Sequence, residues 1–310
     1  MMARLVKALR LLVVYPLFSL LPPAIAYRLA AFAYRFDPVL RRPTRLAAAQ
    51  GMLQALAEAQ DPSRLRRLAD AYQAMLGREL LDVYYLPRLS ARNIDRWVDI
   101  EGLEALAAPR PDGRGRILAM AHFSRPSLLF AAVSLKGAKI HVLTQAIDRT
   151  NPELDVIDRA FLRFKVWGNC RHLLGRWITV AENPRFLYER LRAGETVVML
   201  FDVRATGGPT VDVPLLGHRL RLPHGIVRLA AQTNAALLYG AIRDEGWRAR
   251  IRIEALPEGE ATAAFEAAVA TLESEVREAP AQWWQWNVFD YLLAPPPAPE
   301  EPAGETRRPH

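Results

Sequence analysis

With 310 residues and 51% hydrophobic content, the chain can build one large α/β domain plus an accessory region, and its composition excludes a disordered protein. A single cysteine, Cys170, excludes an internal disulfide framework. The net charge of +8 is concentrated in residues 1–50, which hold eight Arg or Lys against one acid. These cations flank an apolar segment instead of interleaving with aromatics along a folded domain, which argues against nucleic acid as a partner and for an anionic membrane surface.

Arg4, Lys7 and Arg10 precede the apolar run at 11–21, and Pro22-Pro23-Ala24-Ile25-Ala26 has the look of a signal-peptidase site. Apolar residues nevertheless continue through Tyr27, Leu29, Phe32 and Tyr34, and Arg28, Arg35, Arg41, Arg42 and Arg45 follow. Positive charge on both sides disfavours export. The run is short for a span and is broken by Pro16 and Pro22-Pro23, so residues 1–45 read as an anchor lying in the interface or barely spanning. The alternative is a core helix of a soluble domain.

Residues 46–80 have helical spacing, with Asp61-Pro62-Ser63 as a helix start. From about 101 short apolar runs alternate with helices. GRILAMAHF at 115–123 predicts a buried strand, 126–135 a helix and 139–143 the next strand; 152–167 is helical and 177–180 a short strand. A helix at 184–192 stops at Ala193-Gly194 before the strand 196–201. Val211 to Gly217 reads as an edge strand or loop. A helix at 223–232, a strand at 235–242, a half-exposed strand at 248–254 and a long helix through Phe265, Val269, Leu272 and Val276 complete the domain. The alternation predicts a mainly parallel central sheet flanked by helices. Residues 46–294 thus form the α/β domain, and the Pro-rich stretch 295–310, with six of the 23 prolines, reads as a disordered tail.

A strand that ends in His122 and turns straight into a helix puts the imidazole at the carboxyl edge of a parallel sheet, where ligands collect in open α/β folds. Ser124 suits the helix N-cap, with Arg125-Pro126 entering the first turn. From the residues alone, a structural and a catalytic histidine are both open. There is no phosphate-cradling P-loop and no spaced metal-ligand cluster, so no metal is expected.

The basic apolar N terminus, the strand ending in His122, DRTNPELD at 148–155, LRAGETVVMLFD at 191–202, VDVPLLG at 211–217, RLAAQTNAALL at 228–238 and REAPAQWWQW at 277–286 occur in an order and spacing that resemble the lipid A biosynthesis acyltransferases. These are the lauroyl and myristoyl transferases within the lysophospholipid acyltransferase superfamily, and the resemblance covers nearly the whole chain. It implies a glycerol-3-phosphate acyltransferase-like fold. It also implies a histidine base followed, after four residues, by a carboxylate that fixes its tautomer while an acceptor hydroxyl attacks an acyl thioester. The base maps to His122, but the acidic position holds Ser127. Three readings follow: Ser127 orients the ring through its hydroxyl, another carboxylate substitutes, or the chain is a silent relative. Asp202, at the end of a later strand, is the candidate substitute; its competing role is to cap the turn Arg204 to Gly208. The resemblance puts Arg149 and Asn151 where a basic residue faces the thioester or an acceptor phosphate, against a plain surface turn, and Arg125 joins them as a candidate substrate contact. Trp283, Trp284 and Trp286 suit either a membrane interface or core packing.

The expected function is a membrane-associated acyltransferase on the cytoplasmic face of the bacterial inner membrane. It would move an acyl chain from an acyl-carrier-protein or coenzyme A thioester to a hydroxyl or amine of a lipid or specialised metabolite, with no cofactor beyond that donor. The alternative is a catalytically silent subunit that binds acyl chains, acyl carrier protein or an active protein partner.

Overall fold

The computed structural model of the chain describes residues 2–35, 38–107, 110, 112–148, 151, 154–205 and 207–295. Its nine strands are β1 (Val98–Glu101), β2 (Arg116–Met120), β3 (Ile140–Thr144), β4 (Trp177–Thr179), β5 (Thr196–Leu200), β6 (Thr210–Leu215), β7 (His218–Pro223), β8 (Ala236–Glu245) and β9 (Arg248–Ala255). Seven of them form one sheet in the order β1-β9-β8-β2-β5-β3-β4, parallel throughout except for the antiparallel β8–β9 pair. The central strand β2 is buried over its whole length, as expected of a parallel strand covered on both faces. Its alternate residues enter different cores: Ile117 and Ala119 join one apolar cluster, Leu118 and Met120 the other.

The helices follow their local signals. Asp61 caps the helix Pro62–Tyr85 by accepting the Ser63 amide at 2.9 Å. The helix Val156–Cys170 opens with a reciprocal capping box between Asp155 and Asp158. The helix Pro126–Leu135 is apolar on all sides and buried accordingly.

The N-terminal segment folds as the helices Met2–Leu9 and Tyr15–Phe18, joined by a π-helical turn at Arg10–Val14, followed after Pro22 by the helix Pro23–Arg35. No described helix is long and apolar enough to cross a membrane. One face of this segment belongs to the core, with Tyr15, Tyr27 and Ala30 fully buried, while Leu5, Leu12, Leu17, Leu20 and Phe32 face outward. The contact with helix Pro62–Tyr85 is close because Gly77 has no side chain: a Cβ there would lie 2.6 Å from the Ala30 carbonyl oxygen. The helix Pro38–Ala55 runs through position 45, where the anchor was expected to end.

One element goes beyond the sequence reading: Val211 to Gly217, expected as an edge strand or loop, lies in the first strand and turn of a separate antiparallel hairpin, β6–β7, whose turn residues Leu216 and Gly217 both take positive φ. The expected tail falls outside the described residues from 296 onward.

Candidate active site

Strands β2 and β5 are adjacent and parallel, with Met120 opposite Leu200, and the ladder continues where the Phe201 amide donates to the Met120 carbonyl at 2.9 Å. Each strand then delivers a reactive side chain two residues past this last pair: His122 after β2 and Asp202 after β5. Equal offsets on paired parallel strands make the two side chains neighbours. His122 Nδ1 lies 2.8 Å from Asp202 Oδ1, and the main-chain N–H of His122 donates to both carboxylate oxygens at 2.9 Å.

The Asp202 side chain is 1% exposed and that of His122 is 25% exposed, so the carboxylate is sealed while the ring reaches solvent. A buried anion needs donors on both oxygens, and the second oxygen receives the Trp283 indole N–H at 2.9 Å. With the carboxylate accepting from Nδ1, the ring hydrogen sits there and Nε2 carries a lone pair. Among the described residues Nε2 has no protein hydrogen-bond partner. The Gln285 amide donates to the Asp202 main-chain carbonyl at 2.6 Å and lies 3.1 Å from Nδ1, bracing the ring from the side.

The segment after β2 is itself held by the C-terminal tryptophans. Phe123 and Trp283 form an isolated antiparallel bridge; the Ser124 amide donates to the Gln282 carbonyl at 2.7 Å and the Trp284 amide to the His122 carbonyl at 2.8 Å. The Trp284 indole N–H donates to the Ser124 carbonyl at 2.7 Å. Ser124 takes a φ of +56°, rare for a residue with a side chain and tolerated here because both of its backbone polar groups are engaged.

Of the expected site residues, the structure therefore joins His122 and Asp202. Ser127 lies in the first turn of helix Pro126–Leu135, 2% exposed, and the ring of His122 is hydrogen-bonded to Asp202 instead. Asp202 does not cap the turn that follows it; its carboxylate is used up by His122 and Trp283. Ser124 is not the helix N-cap. That position is Arg125, because the left-handed φ of Ser124 turns the chain one residue earlier.

Arg125 does not face a substrate. It is fully buried, donates to Asp82 at 3.0 Å, to Asp244 at 3.2 Å and to the Gly246 carbonyl at 2.8 Å, and lies 4.8 Å from the centre of the Tyr27 ring. Desolvation of a guanidinium is tolerable only with such partners, so its role is to tie three elements together. Arg149 lies outside the described residues. The Asn151 side chain donates to the Ala146 carbonyl at 3.3 Å, within its own loop.

Trp283 and Trp286 are buried in the core, whereas Trp284 is half-buried with its ring 5.7 Å from that of His122. Trp284 also walls a cleft of about 410 Å³ together with Leu11, Leu80, Phe161, Leu162 and Lys165. Lys7, Arg10, Glu79, Leu154 and Asp158 complete its lining, so Trp284 stands between His122 and a recess of mixed apolar and charged character. Sequence reasoning missed Trp283 and Gln285 as groups that hold the dyad; the QWWQW run was visible, but its indole N–H was assigned no acceptor. Among the described residues no group of His, Cys, Asp and Glu is arranged to hold a metal ion.

The profile of the family described as bacterial lipid A biosynthesis acyltransferase matches residues 13–286. Over 169 residues the chain is 30% identical to the phosphatidylinositol mannoside acyltransferase of Mycobacterium tuberculosis, in both strain CDC 1551 / Oshkosh and strain ATCC 25618 / H37Rv. The match covers 52% of this chain and 50% of theirs, so the chain spans about half the length of the curated relatives it matches. Among solved structures, the crystal structure of the 1-acyl-sn-glycerophosphate acyltransferase of Thermotoga maritima aligns over 77% of this chain and 99% of its own, at 17% identity and a TM-score of 0.35.

Proposed function

The chain belongs to the bacterial lipid A biosynthesis acyltransferase family, and we propose that it transfers an acyl chain from a thioester to a hydroxyl of a membrane lipid, with His122 as general base and Asp202 as its orienting carboxylate. One observation carries this reading: the 2.8 Å contact between His122 Nδ1 and a sealed carboxylate, with the opposite ring nitrogen free and the ring partly exposed. A silent relative has no need of a hydrogen-bonded carboxylate behind its histidine.

The chemistry runs as a base-assisted acyl transfer. Nε2 of His122 takes the proton of the acceptor hydroxyl as its oxygen attacks the thioester carbonyl carbon. The tetrahedral intermediate collapses with breakage of the C–S bond, and the proton on Nε2 passes to the departing thiolate. Asp202 keeps the ring hydrogen on Nδ1 and balances the charge of the imidazolium while it lasts. Ser127 has no part in this scheme, because the carboxylate that the local motif lacks is supplied by the neighbouring strand. The donor is an acyl-carrier-protein or coenzyme A thioester and no other cofactor is needed. Both donors belong to the cytoplasm, which sets the protein on the cytoplasmic face of the inner membrane, with its outward apolar N-terminal residues toward lipid. The recess beside Trp284 is the proposed seat of the acyl chain, whose methylenes would meet Leu11, Leu80, Leu154, Phe161 and Leu162, while Lys7, Arg10, Glu79, Asp158 and Lys165 line the rest.

The test supplies purified protein with acyl-coenzyme A and acyl-carrier-protein donors and a panel of glycolipid and phospholipid acceptors, and follows thiol release. Wild type should release thiol in an acceptor-dependent manner and His122→Ala should not. Equal rates for the two proteins across the whole panel would sink the reading.

A further inference from the structure

The helix Val156–Cys170 turns Phe161, Gly168 and Asn169 inward. On the opposite side Val156, Ala160, Phe164 and Trp167 recur at intervals of three and four residues, one above another on successive turns, and all four are exposed. A helix lying on a soluble domain places polar groups there. The two aromatic rings stack nearly parallel, 5.3 Å apart, so the patch is preformed. It is also continuous with the N-terminal segment: Phe164 and Trp167 share a shallow groove of about 350 Å³ with Pro16, Leu17, Leu20 and Tyr84. Leu17 and Leu20 are 57% and 71% exposed at its edge.

The charges around this patch that lack an ionic partner are arginines. Asp155 and Asp158, the acids at the start of the helix, are both occupied by Lys7 at 2.8 and 2.7 Å. Arg88, Arg163 and Arg171 are exposed and make no ion pair with any described carboxylate, and Arg171 lies 5.2 Å from the centre of the Trp167 ring. An apolar strip with stacked aromatics, rimmed by arginines without acidic partners, has the complementarity of an anionic bilayer surface: rings at the acyl boundary and guanidinium groups at the phosphates.

We propose that Phe164 and Trp167, with Leu17 and Leu20 of the N-terminal segment, form a lipid-docking face centred on helix Val156–Cys170, which carries membrane contact beyond the segment to which the sequence assigned it. The same helix contributes Phe161, Leu162 and Lys165 to the cleft beside Trp284, so one rigid element carries both the docking face and part of the cleft wall. The proposal rests on the reading of the chain as a lipid-acting acyltransferase, but its test measures binding and does not need turnover.

Full-length protein is floated with vesicles of three parts phosphatidylethanolamine to one part phosphatidylglycerol, and with phosphatidylcholine vesicles. Phe164→Ser with Trp167→Ser should weaken binding to the anionic vesicles roughly tenfold to hundredfold, since two large apolar side chains no longer enter the bilayer. Arg163→Gln with Arg171→Gln, which leaves the aromatic patch intact and keeps the test alive if the first variant misfolds, should weaken binding to anionic vesicles and leave the weak binding to phosphatidylcholine unchanged. Undiminished binding in either pair overturns the proposal. So does sedimentation showing a wild-type dimer that Phe164→Ser with Trp167→Ser dissociates while vesicle binding persists, because the face then belongs to a second copy. Loss of vesicle binding in a protein that releases no thiol from any donor leaves the docking face standing and removes the acyltransferase reading.

Discussion

At His122 the ring is aligned by a carboxylate that arrives from a neighbouring strand, and the consequence is measurable at single atoms. Asp202→Asn keeps the size and place of the side chain but offers the ring an amide, which admits the wrong tautomer. The expected result is a fall of about 10⁴ in kcat with KM little changed, read by steady-state thiol release. Trp283→Phe removes the donor to Oδ2 in a site closed to water; a missing hydrogen bond to a buried charged acceptor is worth about 1–3 kcal/mol, so kcat/KM should drop by roughly fivefold to a hundredfold. Ser127→Ala should stay within about twofold of wild type in the same assay, a result that separates strand-supplied orientation from the local motif. Of this site, His122 and Asp202 were legible because each closes an apolar run that reads as a strand, and strand ends of a parallel sheet meet on one edge. Trp283 was not legible. Its contact spans 81 positions of sequence and depends on a bridge between irregular segments, for which no local pattern exists.

The elements that carry the site were readable where their patterns are local. The helix Pro126–Leu135 matches its predicted span, and the strands β2 and β5 end within three residues of theirs, since continuous apolar runs, a Gly stop and a Pro start are all short-range signals. β7 was overlooked because its alternation, Leu220 and Leu222 between His218, Arg219 and Arg221, reads as a charged surface until β6 is placed beside it. The helix pair formed by Pro23–Arg35 and Pro62–Tyr85 offers a test of packing. Gly77→Ala would gain about 1 kcal/mol of helix propensity. The new Cβ, however, would meet the Ala30 carbonyl oxygen at 2.6 Å and the Tyr34 Cβ at 2.7 Å, neither of which is the flexible end of a side chain. Overpacking of this kind costs about 1–3 kcal/mol and usually outweighs the propensity, so the variant should unfold at lower denaturant concentration than wild type, with the m-value unchanged.

Across the whole molecule, Arg125 fastens the loop after β2 to the helix Pro62–Tyr85 through Asp82 and to the β8–β9 hairpin through Asp244, which Arg78 and the Gln282 side chain also engage. Burial pushes the Asp82 carboxyl up to about 6, with Arg125 and the Tyr27 hydroxyl pulling the other way. A carboxyl raised on folding contributes stability that is fully present below its unfolded value of about 4 and is lost as the pH rises through the folded value of about 6. Asp82→Asn has no such titration. The stability of wild type relative to Asp82→Asn should therefore decline between pH 4 and about 6 and stay level above it, as measured by chemical denaturation across that range.

The bridge between Phe123 and Trp283 makes the edge that carries His122 depend on a segment far along the sequence from β2 and β5. His122 and Asp202 can come together as soon as β5 has left the ribosome and paired with β2. Until residues 282–285 also emerge, the carboxylate lacks its indole donor and the strained turn at Ser124 has no partner for its amide. A chain ending short of residue 282 would therefore lack both the indole donor to Asp202 and the acceptor for the Ser124 amide, however completely its sheet had formed.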